Sequence, residues 1–118
     1  VVLSIAERFA VVGLDSIPDP DERAAVETSL AASGRELVRI DRDQVAEFAG
    51  NGLELVGRDR AIFALSTRAR AALRPAQVAT IERTARISSV NLPAIERSGG
   101  SLRCTLAGIH LAPRITPT

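Results

Sequence analysis

The pattern that most constrains the fold is a weak internal repeat with an offset of about fifty residues, a period typical of propeller-like or stacked units. Each half predicts a β-hairpin, a helix and then a returning strand. The predicted strands are residues 1–5, 9–14 and 36–40 in the first half, and 53–56, 61–65 and 86–90 in the second. One helix cannot cover a small sheet alone, so we expect each unit to pack against a neighbour.

Capping signals place the helices of the first unit. Asp19 precedes Pro20, and Glu22 completes an Asp-x-x-Glu capping box, so a helix is expected to start near Pro20. Its apolar stripe is narrow, and Gly34 supplies a left-handed stop. A second, short helix is capped by Asp41 or Asp43 and is expected to end at Gly50. The apolar runs of the strands predict sheets covered on both faces.

The second unit predicts two helical segments, 66–73 and 75–83, because proline restricts the residue before it and stops the first segment. Residues 97–101 predict irregular structure. The apolar run over 102–111 predicts a last strand, and residues 112–118 predict a loose tail at the surface.

Composition excludes several classes of protein. Of 118 residues 46% are hydrophobic, and 15 Lys plus Arg nearly balance 14 Asp plus Glu, which favours one compact α/β domain over a disordered chain. No run of about 18 apolar residues or basic secretory leader is present, so we expect a cytoplasmic protein that does not bind membranes. The balanced charge argues against nucleic acid as a partner. Binding through the arginines is kept as an alternative: Arg58, Arg60, Arg68, Arg70 and Arg74.

Missing residue types exclude further chemistry. A single cysteine and a single histidine cannot form a zinc site or an internal disulfide. The chain has no lysine, so it lacks a phosphate loop ending in Gly-Lys-Ser/Thr, and Leu55 stands where a dinucleotide fingerprint starting at Gly50 needs glycine. We therefore expect no metal and no cofactor. The chain also has no methionine, which predicts a piece of a longer chain or a processed product.

Cys104 is the candidate nucleophile. It follows Gly99 and Gly100 at the start of the predicted strand, and adjacent glycines let a backbone approach a ligand closely. The simpler interpretation is a small buried hydrophobe. Arg103 could lower the thiol pKa, although strand alternation points it to the opposite face.

The other titratable residues give Cys104 no obvious partner. His110 lies six residues further along the predicted strand, roughly 20 Å away, so we expect a structural or solvent-facing role for it. A catalytic partner of Cys104 would then lie outside this chain. The acids Asp15, Glu54 and Glu96 are expected to be solvated or capping residues.

The run SGGSLRCTLA, residues 98–107, resembles the C-terminal signature of the guanidine-modifying enzymes: arginine deiminases, dimethylarginine hydrolases and amidinotransferases. With the segments 1–12, 48–55 and 92–96, the chain is similar to the citrulline-utilisation hydrolase branch over residues 1 to 111. Gly52 and Thr105 depart from the methionines usual in that branch. These departures concern the shape of the pocket and not the nucleophile.

The resemblance implies a partial pentein, an α/β propeller of five hairpin-helix-strand units. The chain would be a single C-terminal fragment, 1–118, with about two units, 1–50 and 51–111. Carried over residue by residue, Cys104 is the nucleophile, Gly99 and Gly100 form the loop near the substrate, and Asn51 binds substrate. The catalytic histidine and the acids that bind the guanidinium group would lie upstream of Val1.

The activity implied is hydrolysis, or amidino transfer, on a guanidino or ureido amino acid such as arginine or citrulline, through a covalent thiol adduct. The fragment alone is expected to be inactive and to need the missing N-terminal part, or to self-associate. A different class of function is kept beside this one. Two stacked α/β units could form a binding or assembly module without chemistry, pairing with a partner along an open sheet edge.

Overall fold

The computed structural model describes residues 1–114 and contains two three-stranded sheets. The strands of the first sheet are β1 (Leu3–Ile5), β2 (Phe9–Val12) and β3 (Glu36–Arg39); those of the second are β4 (Leu53–Leu55), β5 (Ala61–Ser66) and β6 (Ala85–Val90). In each sheet the middle strand pairs antiparallel with the strand before it and parallel with the strand after it. The predicted hairpin and returning strand are confirmed in both halves.

The α-helices of residues 1–114 are α1 (Pro20–Ala32), α2 (Arg42–Ala46), α3 (Thr67–Ala72), α4 (Pro75–Glu82) and α5 (Pro93–Arg97). The segment from β2 to β3 contains α1, and that from β5 to β6 contains α3 and α4, so the topology repeats. The α3 helix is capped by Ser66, and α4 starts at Pro75, as the proline predicts. The α5 helix was not predicted, although Pro93 occupies its first turn.

Helix starts agree with the sequence better than helix ends. Asp19 accepts hydrogen bonds from the backbone N–H groups of Asp21 and Glu22, but its own N–H donates none to the Glu22 side chain, so only half of that capping box forms. Asp41, and not Asp43, caps α2. The α2 helix ends at Ala46 and not at Gly50, because Phe48 already adopts a left-handed φ of 65°.

The predicted strand over 102–111 is wrong. Arg103–Thr105 form a short 3₁₀ turn, and the residues from 106 to 114 have no regular structure. The N–H groups of Cys104, Thr105 and Leu106 each bond to the carbonyl three residues earlier, so the backbone is used locally and joins neither sheet. Of the expected loose tail, residues 112–114 are exposed, and residues 115–118 lie outside the described residues.

The main core lies between the two sheets. Phe9 from β2 meets Phe63 from β5 edge to face, with ring centroids 5.2 Å apart. A second cluster places Ala10 and Val12 beneath Leu30 of α1. All four residues of β2 are therefore buried, which confirms that both of its faces are covered.

Hydrogen bonds from two glutamine side chains connect the two units. The buried Gln44 side chain of α2 donates to the carbonyl of Ala72 at 2.8 Å and to Gln77 Oε1 at 2.7 Å. Gln77 of α4 in turn donates to the carbonyl of Arg39 at 2.6 Å. Each unit thus satisfies polar groups of the other, which fixes their relative position.

Within residues 1–114 no helix is long and apolar enough to cross a bilayer.

Candidate functional site

Cys104 lies on the 3₁₀ turn with its side chain exposed, so the interpretation as a buried hydrophobe is wrong. The side-chain amide of Asn51 donates a hydrogen bond to its Sγ at 3.3 Å. These two residues belong to different segments of the resemblance, and the fold brings them into contact. A thiol that is exposed to solvent and whose sulfur accepts a hydrogen bond can react with a small molecule.

Asn51 is fixed on both sides. Its side chain is only 2% exposed, and its Oδ1 accepts a hydrogen bond from the backbone N–H of Arg103 at 3.0 Å. The buried hydroxyl of Ser4 lies 2.6 Å from the carbonyl of Gly50 and 2.8 Å from that of Gly52, and it accepts from the N–H of Gly52. β1 therefore holds the segment that carries Asn51. No sequence motif indicated this role of Ser4.

The glycines around Asn51 are required by close packing. A Cβ on Gly50 would lie 2.6 Å from the carbonyl oxygen of Val1, and one on Gly52 would lie 2.3 Å from Cζ of Phe63. Gly52, where the resemblance leads one to expect methionine, therefore has no room for a side chain, because the Phe63 ring occupies that space. Thr105, the other departure, donates to the carbonyl of Leu102 at 2.7 Å.

Of the glycine pair, Gly100 lies beside the thiol. Gly99 has a φ of +94°, a conformation that favours glycine, and a Cβ there would have open space around it. A Cβ on Gly100 would lie 3.6 Å from Sγ of Cys104. The structure thus places Gly100 next to the predicted nucleophile. Its part in binding a substrate stays a prediction, as does that of Gly99 and Asn51.

The pKa of the Cys104 thiol is lowered from its ordinary value. The hydrogen bond from Asn51 is the main cause, and a backbone hydrogen bond from Ser101 is the next. Partial burial opposes the shift, while the positive charge of Arg103 adds a small attraction. Donors that point at sulfur favour the thiolate, which is the nucleophilic form.

Arg103 also anchors the turn. Its guanidinium donates to the carbonyl of Leu3 at 2.8 Å, which ties the turn to β1. Strand alternation predicts that Arg103 turns away from the thiol. That prediction is wrong, because these residues do not form a strand. His110 is exposed, and the strand spacing that separated it from Cys104 does not exist. No hydrogen bond joins the two in the part of the chain described.

The three candidate acids differ in environment. Asp15 is exposed, and Glu54 accepts from the backbone N–H of Glu7 at 3.0 Å. Glu96 is only 6% exposed, against the expectation of a solvated or capping residue, and it accepts from the hydroxyl of Ser101 at 3.0 Å. No cluster of three or more His, Cys, Asp or Glu side chains suited to a metal occurs among residues 1–114.

Three of the arginines considered for nucleic acid are engaged within the chain. Arg68 pairs with Glu47 and lies 5.2 Å from the centroid of the Phe48 ring, Arg74 pairs with Asp41, and Arg60 donates to a backbone carbonyl. A nucleic-acid surface would therefore depend mainly on Arg58 and Arg70. That alternative stays a hypothesis.

Comparison with known proteins defines the class of protein. The chain belongs to the pentein superfamily, in a family of hydrolases that act on guanidino groups. The matching family model is that of N,N dimethylarginine dimethylhydrolase, eukaryotic, and it covers residues 1–111, so the chain is a member of this family. No curated protein and no solved structure matches the chain. The match confirms the expected superfamily, while assignment to the citrulline-utilisation branch stays a prediction.

Proposed function

We propose that this chain is the C-terminal part of a hydrolase of guanidino or ureido amino acids, with Cys104 as the nucleophile. The observation that carries the proposal is an exposed thiol whose pKa is lowered by the Asn51 amide 3.3 Å away. The family supplies the class of substrate, since it consists of hydrolases acting on guanidino groups. The geometry supports Cys104 as a nucleophile suited to that class.

The chemistry follows from the thiolate. Its sulfur attacks the guanidinium carbon and forms a C–S bond, and the C–N bond to the leaving amine then breaks as that amine takes up a proton. Water attacks the resulting S-alkylthiouronium carbon, the C–S bond breaks and the thiolate is regenerated. The products are a ureido amino acid and a free amine. Two moderate steps replace one difficult substitution.

The family name suggests methylated arginine as the first substrate to test. Hydrolysis of N,N-dimethylarginine at the guanidinium carbon gives citrulline and dimethylamine. Arginine would give citrulline and ammonia, and citrulline itself would give ornithine, ammonia and carbon dioxide. In this scheme Gly99 and Gly100 leave room for the substrate beside Sγ. We propose that Asn51 acts by orienting the thiol, since its buried amide is already bonded to the turn.

The proton donor for the leaving amine is proposed to come from a preceding part of the protein. His110 is exposed on the segment after the turn and forms no hydrogen bond with Cys104 in the described residues. The same preceding part would supply the carboxylates that bind the guanidinium group. Paired hydrogen bonds from a guanidinium to carboxylates give both affinity and orientation.

The repeat supports a larger ring. β3 packs against α1 of its own unit and against α4 of the second unit. β6 is the equivalent strand of the second unit; it packs against α3 and α4 of its own unit, and its residues 88–90 are exposed. Units related by one repeated head-to-tail contact form a closed ring when the rotation closes. We propose that a further unit covers β6, as in a ring of five.

The same exposed strand supports the second candidate, a binding or assembly module. An open edge offers unpaired N–H and C=O groups to any partner strand. The two candidates differ in what they require of Cys104. A module needs no reactive thiol, whereas a hydrolase loses all turnover without it.

The deciding experiment measures amine release and ureido product from the protein that includes the sequence upstream of Val1. N,N-dimethylarginine, arginine and citrulline are offered in turn to the wild type, to Cys104→Ala and to the control Ser33→Ala. We expect turnover of at least one substrate, its loss in Cys104→Ala with the fold intact, and full activity in the control. The 118-residue chain alone should be inactive. Turnover retained by Cys104→Ala would exclude the nucleophile, and absence of turnover in the longer protein would favour the module.

A further inference from the structure

Glu96 is a buried carboxyl group at the site that the proposed chemistry does not use. Among residues 1–114 it is the one charged residue that is buried. A carboxylate removed from water costs free energy unless hydrogen bonds replace its hydration. Its place on α5, eight residues before Cys104, therefore calls for a physical reason.

Ser101 connects Glu96 to the thiol. The Ser101 side chain is fully buried, and its hydroxyl donates to Glu96 Oε2 at 3.0 Å. Its carbonyl accepts from the N–H of Cys104 at 3.1 Å. After the Asn51 side chain, the backbone of Ser101 is the next cause that lowers the pKa of the thiol. The main-chain carbonyl of Glu96 also accepts from the N–H of Gly99 at 3.1 Å. The carboxyl group of Glu96 and the backbone N–H of Cys104 are thus both hydrogen-bonded to Ser101.

We propose that Glu96 is a positioning residue, which fixes through Ser101 the turn that presents Cys104. The proposal rests on the proposed function, because it concerns the same nucleophile. With the hydroxyl of Ser101 held by the carboxylate, the backbone of Ser101 keeps one orientation, and its polar groups stay directed at Cys104. A carboxylate suits this role, since a hydrogen bond to a charged acceptor is stronger than one between neutral groups.

Other charges near the two groups define the alternative explanation. Cys104 is also influenced by Arg103 and by the amino group of Val1, both of which favour the thiolate. Arg68 is the cation that feels the charge of Glu96: its pKa is raised mainly by the hydrogen bond to Glu47, and Glu96 adds a smaller contribution. Glu96 could in principle act directly on the thiol as a negative charge, which would disfavour the thiolate. The conservative variant Glu96→Gln separates the two explanations, because it keeps an oxygen acceptor for Ser101 and removes the charge.

The test measures the rate of Cys104 alkylation by iodoacetamide as a function of pH in the 118-residue chain. Cys104 is the sole cysteine, so the reagent reports on one thiol. The variants are Glu96→Ala, Glu96→Gln and Ser101→Ala. The matched control is Ser98→Ala, whose hydroxyl lies in the same loop and bonds only to the carbonyl of Ala94. Circular dichroism checks that each variant is folded.

We expect Glu96→Ala and Ser101→Ala to raise the pH midpoint and to slow alkylation at pH 7 by between about twofold and tenfold, the effect of one lost hydrogen bond. Glu96→Gln should stay within about twofold of the wild type, like the control, because one neutral hydrogen bond replaces a charged one. Should Glu96→Ala fail to fold, Ser101→Ala carries the test, since it leaves the backbone donor in place.

Three results would overturn the proposal. Folded Glu96→Ala or Ser101→Ala with the wild-type midpoint would show that the link does not position the thiol. A lower midpoint in Glu96→Gln would show that Glu96 acts as a charge. A wild-type midpoint near the ordinary value of 9.0 would refute the nucleophile itself and the positioning role with it. The failure of the proposed function is thereby distinguishable from the failure of this inference alone.

Discussion

The Asn51 amide donates to Cys104 Sγ across fifty-three positions of sequence, and the same side chain accepts from the N–H of Arg103. One buried residue thus holds both the sulfur and the backbone of the turn. Since the sulfur is the acceptor, this contact favours the thiolate. The arrangement resembles a preorganised site, in which the packed interior carries the constraint and the exposed atom carries the reactivity.

Removing the amide donor should raise the thiol pKa. In Asn51→Asp the new carboxylate keeps an acceptor for Arg103 but replaces the donor by a negative charge, so the alkylation midpoint of Cys104 should move up. The free energy of unfolding should fall, because the charge is buried at a position that is only 2% exposed. Asn51→Ala should also raise the midpoint and should cost about 1–3 kcal/mol, because the Arg103 N–H loses its partner. Alkylation rates against pH and urea unfolding measure both effects. The exposed Asn91→Ala is the control, and an unchanged midpoint in Asn51→Asp would contradict the assignment.

A methyl group at Gly100 should shield the thiol without unfolding the chain. The added Cβ would lie 3.4 Å from Cβ of Cys104 and 3.6 Å from Sγ, which are ordinary contacts, and the φ of Gly100 lies outside the left-handed region. We expect Gly100→Ala to change the free energy of unfolding by less than about 0.5 kcal/mol. Alkylation by a bulky maleimide should slow more than alkylation by iodoacetamide. If Gly100→Ala slows both reactions by the same factor, the space beside Gly100 is not the path by which a reagent approaches the sulfur.

The cap of α2 predicts a dependence of stability on pH. A backbone hydrogen bond from Gln44, followed by the Arg74 side chain, lowers the pKa of Asp41 below its ordinary value of 3.8. Folding therefore favours the ionised form, and its contribution is present above pH 3.8 and is lost as the pH falls below it. Asp41→Asn should be less stable at pH 7 and lose less on acidification.

Urea unfolding at pH 7, 5 and 3.5 tests this, with Asp43→Asn as the neighbouring control whose side chain does not cap the helix. The wild type and the control should lose stability together as the pH falls. A pH dependence in Asp41→Asn equal to that of the wild type would show that another group is responsible.

Local patterns predicted the elements, and long-range packing decided the rest. Helix-starting residues act through neighbouring backbone groups. The helices that begin after Asp19, after Ser66 and at Pro75 could therefore be predicted from sequence. The run after Leu102 is as apolar as a strand, but a strand also needs an edge to pair with, and composition does not supply that information. For the same reason the burial of Glu96 was missed, because it depends on where Ser101 folds back. Cys104 was identified through resemblance, whereas its contact with Asn51 required the fold.

The face that β6 leaves open should make the isolated chain self-associate. Val90 at the end of β6 is 45% exposed and Ile95 of the following helix is 38% exposed, whereas β3, the equivalent strand of the first unit, has α4 of the second unit packed against it. Light scattering over a concentration series should show growing mass, because uncovered repeat units lower their free energy by burying apolar surface. Val90→Arg and Ile95→Glu should reduce the association by placing charges on that face. Val56→Arg is the matched control, since Val56 is 100% exposed and lies outside β6 and α5. Two results would contradict the proposal that a further unit covers β6. One is a chain that stays monomeric with one sharp thermal transition, and the other is a Val56→Arg variant that reduces association as much as Val90→Arg.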